Sequence, residues 1–375
     1  MDGSALFFTV FLFATLIQLA AWGILFGPFS AKKTQQLSSR PASPVSIIVC
    51  ARNEAAALKQ NLPFILAQNY PAPWELIVVD DDSTDATAAV LFSFQEKYPE
   101  RLRSIRIHPK LQTGKKAALT KGIEAARYAS LLLTDADCVP AGPEWLMQMA
   151  GVLQSASGVE IVLGYSPVQA ERPTCLHEWQ RFETAFTAAQ YFSFAHAGLP
   201  YMGVGRNLAY RRSTFEAAGG FIRHNHLASG DDDLLVNAVA TAKNTRFCLA
   251  PASFVQTRAR PDWRSWLRQK KRHLEAGTVY HLRHRFLLGI LAATHAGHYF
   301  LFVILLAKGI CPTTVISLFF LRLFVVWIIL ARIFSRHLME KNLYLRIPFY
   351  DAGMAIYYGF VAFHYLFGGK KVDWR

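Results

Sequence analysis

The stretch Leu131-Leu132-Leu133-Thr134-Asp135-Ala136-Asp137 constrains the fold more than any other part of the chain. Three leucines in a row suit a strand buried on both faces, as in parallel sheets covered by helices. Two carboxylates, one residue apart, follow as the run ends. In open α/β sheets, ligands collect outside the carboxyl ends of the strands. Paired carboxylates there make a hard-oxygen site suited to Mg²⁺ or Mn²⁺ carrying a phosphorylated ligand. Alone, the same residues also describe a solvated turn, because short motifs match by chance.

The pattern recurs upstream. Residues 45–50 read as a buried strand of β-branched residues, closed by Ala51-Arg52-Asn53-Glu54. Helical periodicity covers 54–67, where Pro63 is expected to kink or split the helix. A second strand at 76–79 runs into Asp80-Asp81-Asp82-Ser83-Thr84-Asp85. Ser83 or Thr84 is expected to cap the helix that follows, to about residue 95. Residues 102–107 form a third strand, and Gly114-Lys115-Lys116 opens a helix through 127. Such alternation predicts a doubly wound α/β sheet, with every acidic turn on one edge. That shared edge argues against an incidental turn. Further strands are expected at 161–165 and 247–255, with an aromatic-rich helix at 174–196. Asp231-Asp232-Asp233 opens another helix, where the macrodipole favours acids.

The chain ends are of a different kind. Of 375 residues, 52% are hydrophobic, and the excess lies at the two termini. Residues 5–26 carry no charge and exceed the ~20 residues that cross a bilayer. A cleaved signal peptide is the alternative, but the run lacks a positive start and is long for one. Lys32 and Lys33 follow it, so the positive-inside rule places the next domain in the cytoplasm. Residues 286–307 and 315–334 can also span. Arg322, inside the second, costs roughly 2.5–3.5 kcal/mol at a helix centre and should face other helices or a polar cavity. His295 and His298 are expected to bond between helices. Pro348 and Asp351 interrupt the last apolar segment, 344–367; because a third crossing would put the basic tail, 368–375, outside, a re-entrant or interfacial segment is expected over a spanning one. Between soluble and membrane parts, 261–277 interleaves Trp263, Trp266 and Leu267 with basic residues, a composition suited to the lipid–water interface.

The expected order is a transmembrane helix (1–30), a linker (31–44), an α/β domain (45–260), an interfacial amphipathic helix (261–284) and a membrane region (285–375). This describes a multi-pass integral membrane protein, with a bacterial inner membrane as the expected location and the α/β domain cytoplasmic. The net charge of +14 suits nucleic acid, an anionic leaflet or a phosphate-rich substrate, and the spans speak against nucleic acid. Five scattered cysteines show no disulfide or metal spacing and read as reduced.

Several separated motifs resemble family 2 glycosyltransferases, inverting enzymes with the GT-A fold, a Rossmann-like mixed sheet. They are Val45 to Glu54, the Val79-Asp80-Asp81-Asp82-Ser83-Thr84-Asp85 segment, Gly114-Lys115-Lys116-Ala117-Ala118-Leu119, Asp135-Ala136-Asp137, and Asn207 to Phe221. Asp82 stands where the family usually has Gly. Membrane-bound members add an acidic helix start, matched by Asp231-Asp232-Asp233-Leu234, and Q-x-x-R-W, matched by Gln269-Lys270-Lys271-Arg272-His273. Gly230 replaces a usual Glu, and His273 replaces the Trp that meets the acceptor in processive synthases.

The resemblance implies roles. The donor is a nucleotide sugar, UDP-linked, with Asp81 accepting a base N–H and Ala51, Asn53, Glu54 and Lys115 lining the nucleotide pocket. Asp137 would coordinate Mg²⁺ or Mn²⁺, and Asp135 would contact ribose or a metal-bound water. Asp231 would be the general base, with Asp232 the alternative. Gln269 and Arg272 would close over the diphosphate. The acceptor expected is a lipid or lipid-linked glycan. A polysaccharide synthase is the alternative among enzymes, and an inactive membrane scaffold is the alternative outside them.

Overall fold

The computed structural model describes residues 3–33, 43–110, 114–170, 173–227 and 229–367. Most of the expected linker (34–42) and the basic tail (368–375) lie outside the described residues. The chain divides into two units. One comprises Thr34–Arg181 and Gly198–Tyr280; the other comprises Met1–Lys33, Phe182–Ala197 and His281–Lys371.

The first unit is built on a mixed sheet of seven strands. In chain order its strands are β1 (Val45–Ala51), β2 (Trp74–Asp81), β3 (Leu102–Ile107), β4 (Ser130–Asp135), β5 (Cys138–Pro140), β6 (Ile161–Leu163), β7 (Val168–Gln169), β8 (Leu208–Arg211), β9 (Thr245–Phe247) and β10 (Val255–Arg258). The large sheet runs β3-β2-β1-β4-β8-β6-β9, and a small one runs β5-β10-β7. β3, β2, β1 and β4 are parallel, and β8 enters antiparallel between β4 and β6. The strands that read as unbroken apolar runs are those buried on both faces.

Register brings the acids together. Ala51 lies opposite Asp80, and Cys50 opposite Asp135, so the ends of β1, β2 and β4 come level at one edge. Helix Ala55–Leu66 presses Leu58, Leu62 and Ile65 into the core with Trp145, Leu146 and Met149. Each such burial contributes about 1.5–3 kcal/mol. Helix Lys116–Ala125 lies on β1 and β2 through Gly122, where an added Cβ would sit 2.6 Å from Ile48 Cγ2. A larger residue there would push the helix off the sheet.

Three local expectations are corrected. Pro63 lies in the last turn of its helix, three residues before Leu66, and does not split it; one lost hydrogen bond is tolerated there. Neither Ser83 nor Thr84 caps helix Thr87–Lys97, because both serve the neighbouring loop: Ser83 Oγ accepts from Asn53 N at 2.9 Å, and Thr84 N donates to Asn53 Oδ1 at 2.8 Å. Asp85 Oδ1 instead receives Thr87 N at 2.9 Å. Residues 247–255 are no single strand, because a helical turn at Pro251–Ser253 separates β9 from β10.

In the second unit, Gly3–Ala31, Leu282–Ala307 and Pro312–Arg336 are long and apolar enough to cross a membrane. Helix Ile347–Phe367 packs with them. At their centre Arg322 is fully buried and paired with Asp351. Arg322 also reaches Gln18 Oε1 at 3.0 Å and His295 Nδ1 at 3.1 Å, while Tyr299 OH donates to Asp351 Oδ2 at 2.7 Å. His298 Nδ1 lies 2.9 Å from Thr15 Oγ1. These polar groups join all four helices.

Candidate active site

Three loops of the sheet edge supply the residues singled out in the sequence. After β1, Asn53 takes a left-handed conformation (φ 57°), which Asn tolerates better than most residues. Its turn is stitched to the loop after β2 by Ser83 and Thr84, and Thr87 Oγ1 accepts from Glu54 N at 2.9 Å. Ala51 is buried at the base of this turn. Burial, then Asp137 nearby, push the Glu54 carboxyl up to about 7.

After β2, Asp80 and Asp81 are buried. Asp80 Oδ1 accepts from Ser83 N at 3.0 Å, which curls the turn. Asp82 then adopts φ 63°, a conformation glycine enters without strain. This accounts for a position where Gly is usual and Asp is tolerated. Asp81 is paired with Lys110, whose ammonium also donates to the Gly114 carbonyl at 3.1 Å.

After β4, Asp135 and Asp137 flank the buried Ala136, whose carbonyl accepts from Asn61 Nδ2 at 2.9 Å. The carboxylates and Cys138 Sγ offer ligand atoms within 4.8 Å of one another. Burial holds the Cys138 thiol well above its usual range. The two carboxylates could hold a hard cation of the Mg²⁺ or Mn²⁺ kind, which takes oxygen ligands.

Lys115 joins this loop to the acidic helix start. Its Nζ lies 2.9 Å from Asp135 Oδ1 and 2.9 Å from Asp231 Oδ2. Burial alone would lower this ammonium, but Asp135 and Asp231 hold it well above its ordinary value. Burial likewise works to raise Asp135, and Lys115 more than reverses that. The three consecutive acids point to different partners. Asp231 faces Lys115. Asp232 accepts from Gly205 N at 2.6 Å and from Asp233 N at 2.8 Å, capping helix Asp233–Val239. Asp233 accepts from Leu234 N at 2.8 Å and from Tyr280 OH at 2.7 Å. Burial and then Asp231 raise Asp232; burial and then Asp232 push Asp233 up to about 8.

Gln269 and Arg272 lie on helix Trp263–Gly277, whose start is capped by Asp262. The Arg272 carbonyl accepts from Ser229 Oγ at 2.9 Å, which docks this helix beside the acidic turn. The structure thus gathers Asp135, Lys115, Asp231 and Asp232 into one cluster, with Asp81 and Asp137 on the adjoining strand ends. Four cationic or polar residues at this site escaped the sequence reading. Lys110 meets Asp81, Tyr280 meets Asp233, and Arg206 and Arg260 lie close enough to Asp135 to lower it. Arg206 adjoins the matched Asn207 motif, which was the one signal that pointed to it.

A family model described as "Glycosyltransferase like family 2" matches residues 41–276, well over half the chain. The chain belongs to this glycosyltransferase family. Its fold is GT-A. The mannosyltransferase PcManGT from Pyrobaculum calidifontis, solved in complex with GDP-Man and Mn²⁺, aligns over 98% of this chain and 99% of its own, with a TM-score of 0.63 at 18% identity. Among curated relatives, a probable glycosyltransferase, YdaM of Bacillus subtilis, is 26% identical over 61% of this chain and 54% of its own. A beta-monoglucosyldiacylglycerol synthase of Synechocystis is 30% identical over 28% of this chain and 22% of its own. The chain spans about half the length of the first of these.

Proposed function

We propose that this family 2 glycosyltransferase moves a sugar from a nucleoside diphosphate, UDP above all, to a hydroxyl of a lipid or lipid-linked acceptor, with inversion. The observation that carries the reading is Lys115. One ammonium, 2.9 Å from both Asp135 and Asp231, ties the donor side of the cluster to the acidic turn. Inversion in one displacement needs a base on the face opposite the leaving group. Asp231 is that base, and Asp232, committed to two backbone N–H groups, is the weaker candidate.

Ala51, Asn53, Glu54 and Asp81 form the nucleotide pocket. Asp81 accepts the base N–H once Lys110 has moved aside. Asp135 and Asp137 would hold a divalent cation, whose chemistry would be to neutralise charge on a leaving diphosphate. Lys115, Gln269 and Arg272 bind phosphate oxygens, Arg272 through a guanidinium suited to two-point contact. PcManGT, with its GDP-Man and Mn²⁺, supports a nucleotide sugar and a divalent ion as ligands of this fold. The Synechocystis synthase supports a lipid acceptor. Lys32 and Lys33 after the first helix favour a catalytic unit on the cytoplasmic side of a multi-pass protein.

The test is transfer from UDP- and GDP-sugars into extracted lipids by the purified chain with Mn²⁺. Asp137→Ala is expected to lower turnover by at least a hundredfold while the protein stays folded. Turnover equal to wild type in that variant removes the metal role from Asp137.

A further inference from the structure

The helix that carries Gln269 and Arg272 is fastened to the acidic turn at two points. Ser229, two residues before Asp231, donates to the Arg272 carbonyl at 2.9 Å. Past the helix end, Tyr280 OH donates to Asp233 Oδ2 at 2.7 Å. Asp231 therefore lies between two ties to one segment of chain. Tyr280 and Asp233 are both 8% exposed. A hydroxyl and a carboxyl buried to that degree are costly unless they satisfy one another, so the pairing is specific.

The hydroxyl is also held from behind. The Tyr280 ring packs edge-on against Tyr201 with centroids 6.0 Å apart, and the Tyr201 carbonyl accepts from Asn237 Nδ2 at 2.9 Å. Asn237 belongs to the short helix Asp233–Val239 that the acids open. Tyr280, Asp233 and Asn237 thus close a ring of contacts around the start of that helix.

We infer that Tyr280 is a positioning residue for sugar transfer: through Asp233 it sets where the Asp231 carboxylate stands, and it links that position to the helix bearing Gln269 and Arg272. The inference rests on Asp231 being the base. Among the described residues the hydroxyl and ring contacts of Tyr280 go to Asp233 and Tyr201, neither of them assigned to the donor, so its loss acts on turnover and not on donor capture. Small displacements of a catalytic group cost large rate factors.

The experiment is steady-state kinetics on the full chain, with the UDP- or GDP-sugar that the wild type uses and total polar lipid as acceptor. Tyr280→Phe removes one oxygen and keeps the ring against Tyr201. Its kcat is expected to fall about tenfold or more, with KM for the donor within about twofold and the unfolding midpoint nearly unchanged. Asp233→Asn retains a carbonyl oxygen for the tyrosine and should keep a larger share of kcat than Asp233→Leu. A wild-type kcat in Tyr280→Phe overturns the inference, as does a loss that appears as raised KM or as unfolded protein. Asp231→Asn separates the two readings. If it abolishes transfer and Tyr280→Phe does nothing, only the tyrosine role fails. If it retains transfer, the base assignment fails, and any effect of Tyr280→Phe then acts by another route.

Discussion

At the scale of residues, three consecutive aspartates show how position overrides identity. Asp231 faces a lysine, Asp232 is spent on backbone N–H groups, and Asp233 is buried against a tyrosine. The consequence for Asp233 is a carboxyl raised from 3.8 to about 8 by burial and by Asp232. A raised pKa in the folded state means the fold binds this proton more tightly than the unfolded chain does. Its contribution to stability is complete below about pH 4 and is lost as pH rises through about 8. Asn resembles the protonated acid at all pH values. Asp233→Asn should therefore match wild type in thermal midpoint at about pH 3.5 and exceed it by several degrees at about pH 8.5. Thermal unfolding of the purified chain at both pH values decides this, and a wild type that gains on the variant at high pH would show Asp233 ionised in the fold.

At the scale of elements, what the sequence disclosed follows from what each element owes to itself. β1, β2 and β4 are buried runs that any register would keep apolar, so they were legible. β5, β7, β9 and β10 have between two and four residues and exist through their partners alone. Asp135, Asp137 and Asp231 could be found because their motifs are local. Lys110 and Tyr280 could not, because each lies tens of residues from the acid it meets. Asn207 belongs with the hidden contacts as well. Its side chain donates to the Tyr165 and Ser253 carbonyls at 2.8 Å each and accepts from Trp145 Nε1 at 3.0 Å, tying β8 to three neighbouring segments. Asn207→Ala takes this partner from the Trp145 indole N–H and the Ser253 carbonyl, at about 1–3 kcal/mol for each, while the Tyr165 carbonyl keeps Val255 N at 3.2 Å. The expected loss, read from denaturant midpoints, is about 2 kcal/mol or more, and a loss below about 1 kcal/mol would mean the segments hold without it.

At the scale of the molecule, each unit has its own kind of glue. The catalytic unit relies on an apolar core, whereas the four long apolar helices of the other unit, Gly3–Ala31, Leu282–Ala307, Pro312–Arg336 and Ile347–Phe367, share the Arg322–Asp351 pair and its partners. Read as sequence, Arg322 and Asp351 were two separate costs of insertion; folded, they satisfy one another and Gln18, His295 and Tyr299. Removing one partner of a buried pair typically costs about 3–5 kcal/mol, whereas removing both is much milder. Arg322→Leu or Asp351→Leu alone should sharply lower thermal stability in detergent, and the double variant should recover most of it. A double variant that shows the sum of both losses would mean the charges act independently. The division into units also bears on the order of synthesis. The parallel half of the sheet is complete at Asp135, but β8, through which β6 and β9 join it, emerges only after 182–197. That stretch stacks Phe182 on Tyr350, sets Phe186 edge-on to Trp22 and stacks Phe192 on Phe29, all within the helical unit. The ribosome must therefore deliver a piece of the membrane part before the sheet can close. Residues 43–280, expressed alone, would hold every strand yet carry that aromatic stretch uncovered, and would aggregate unless detergent took the place of the missing helices.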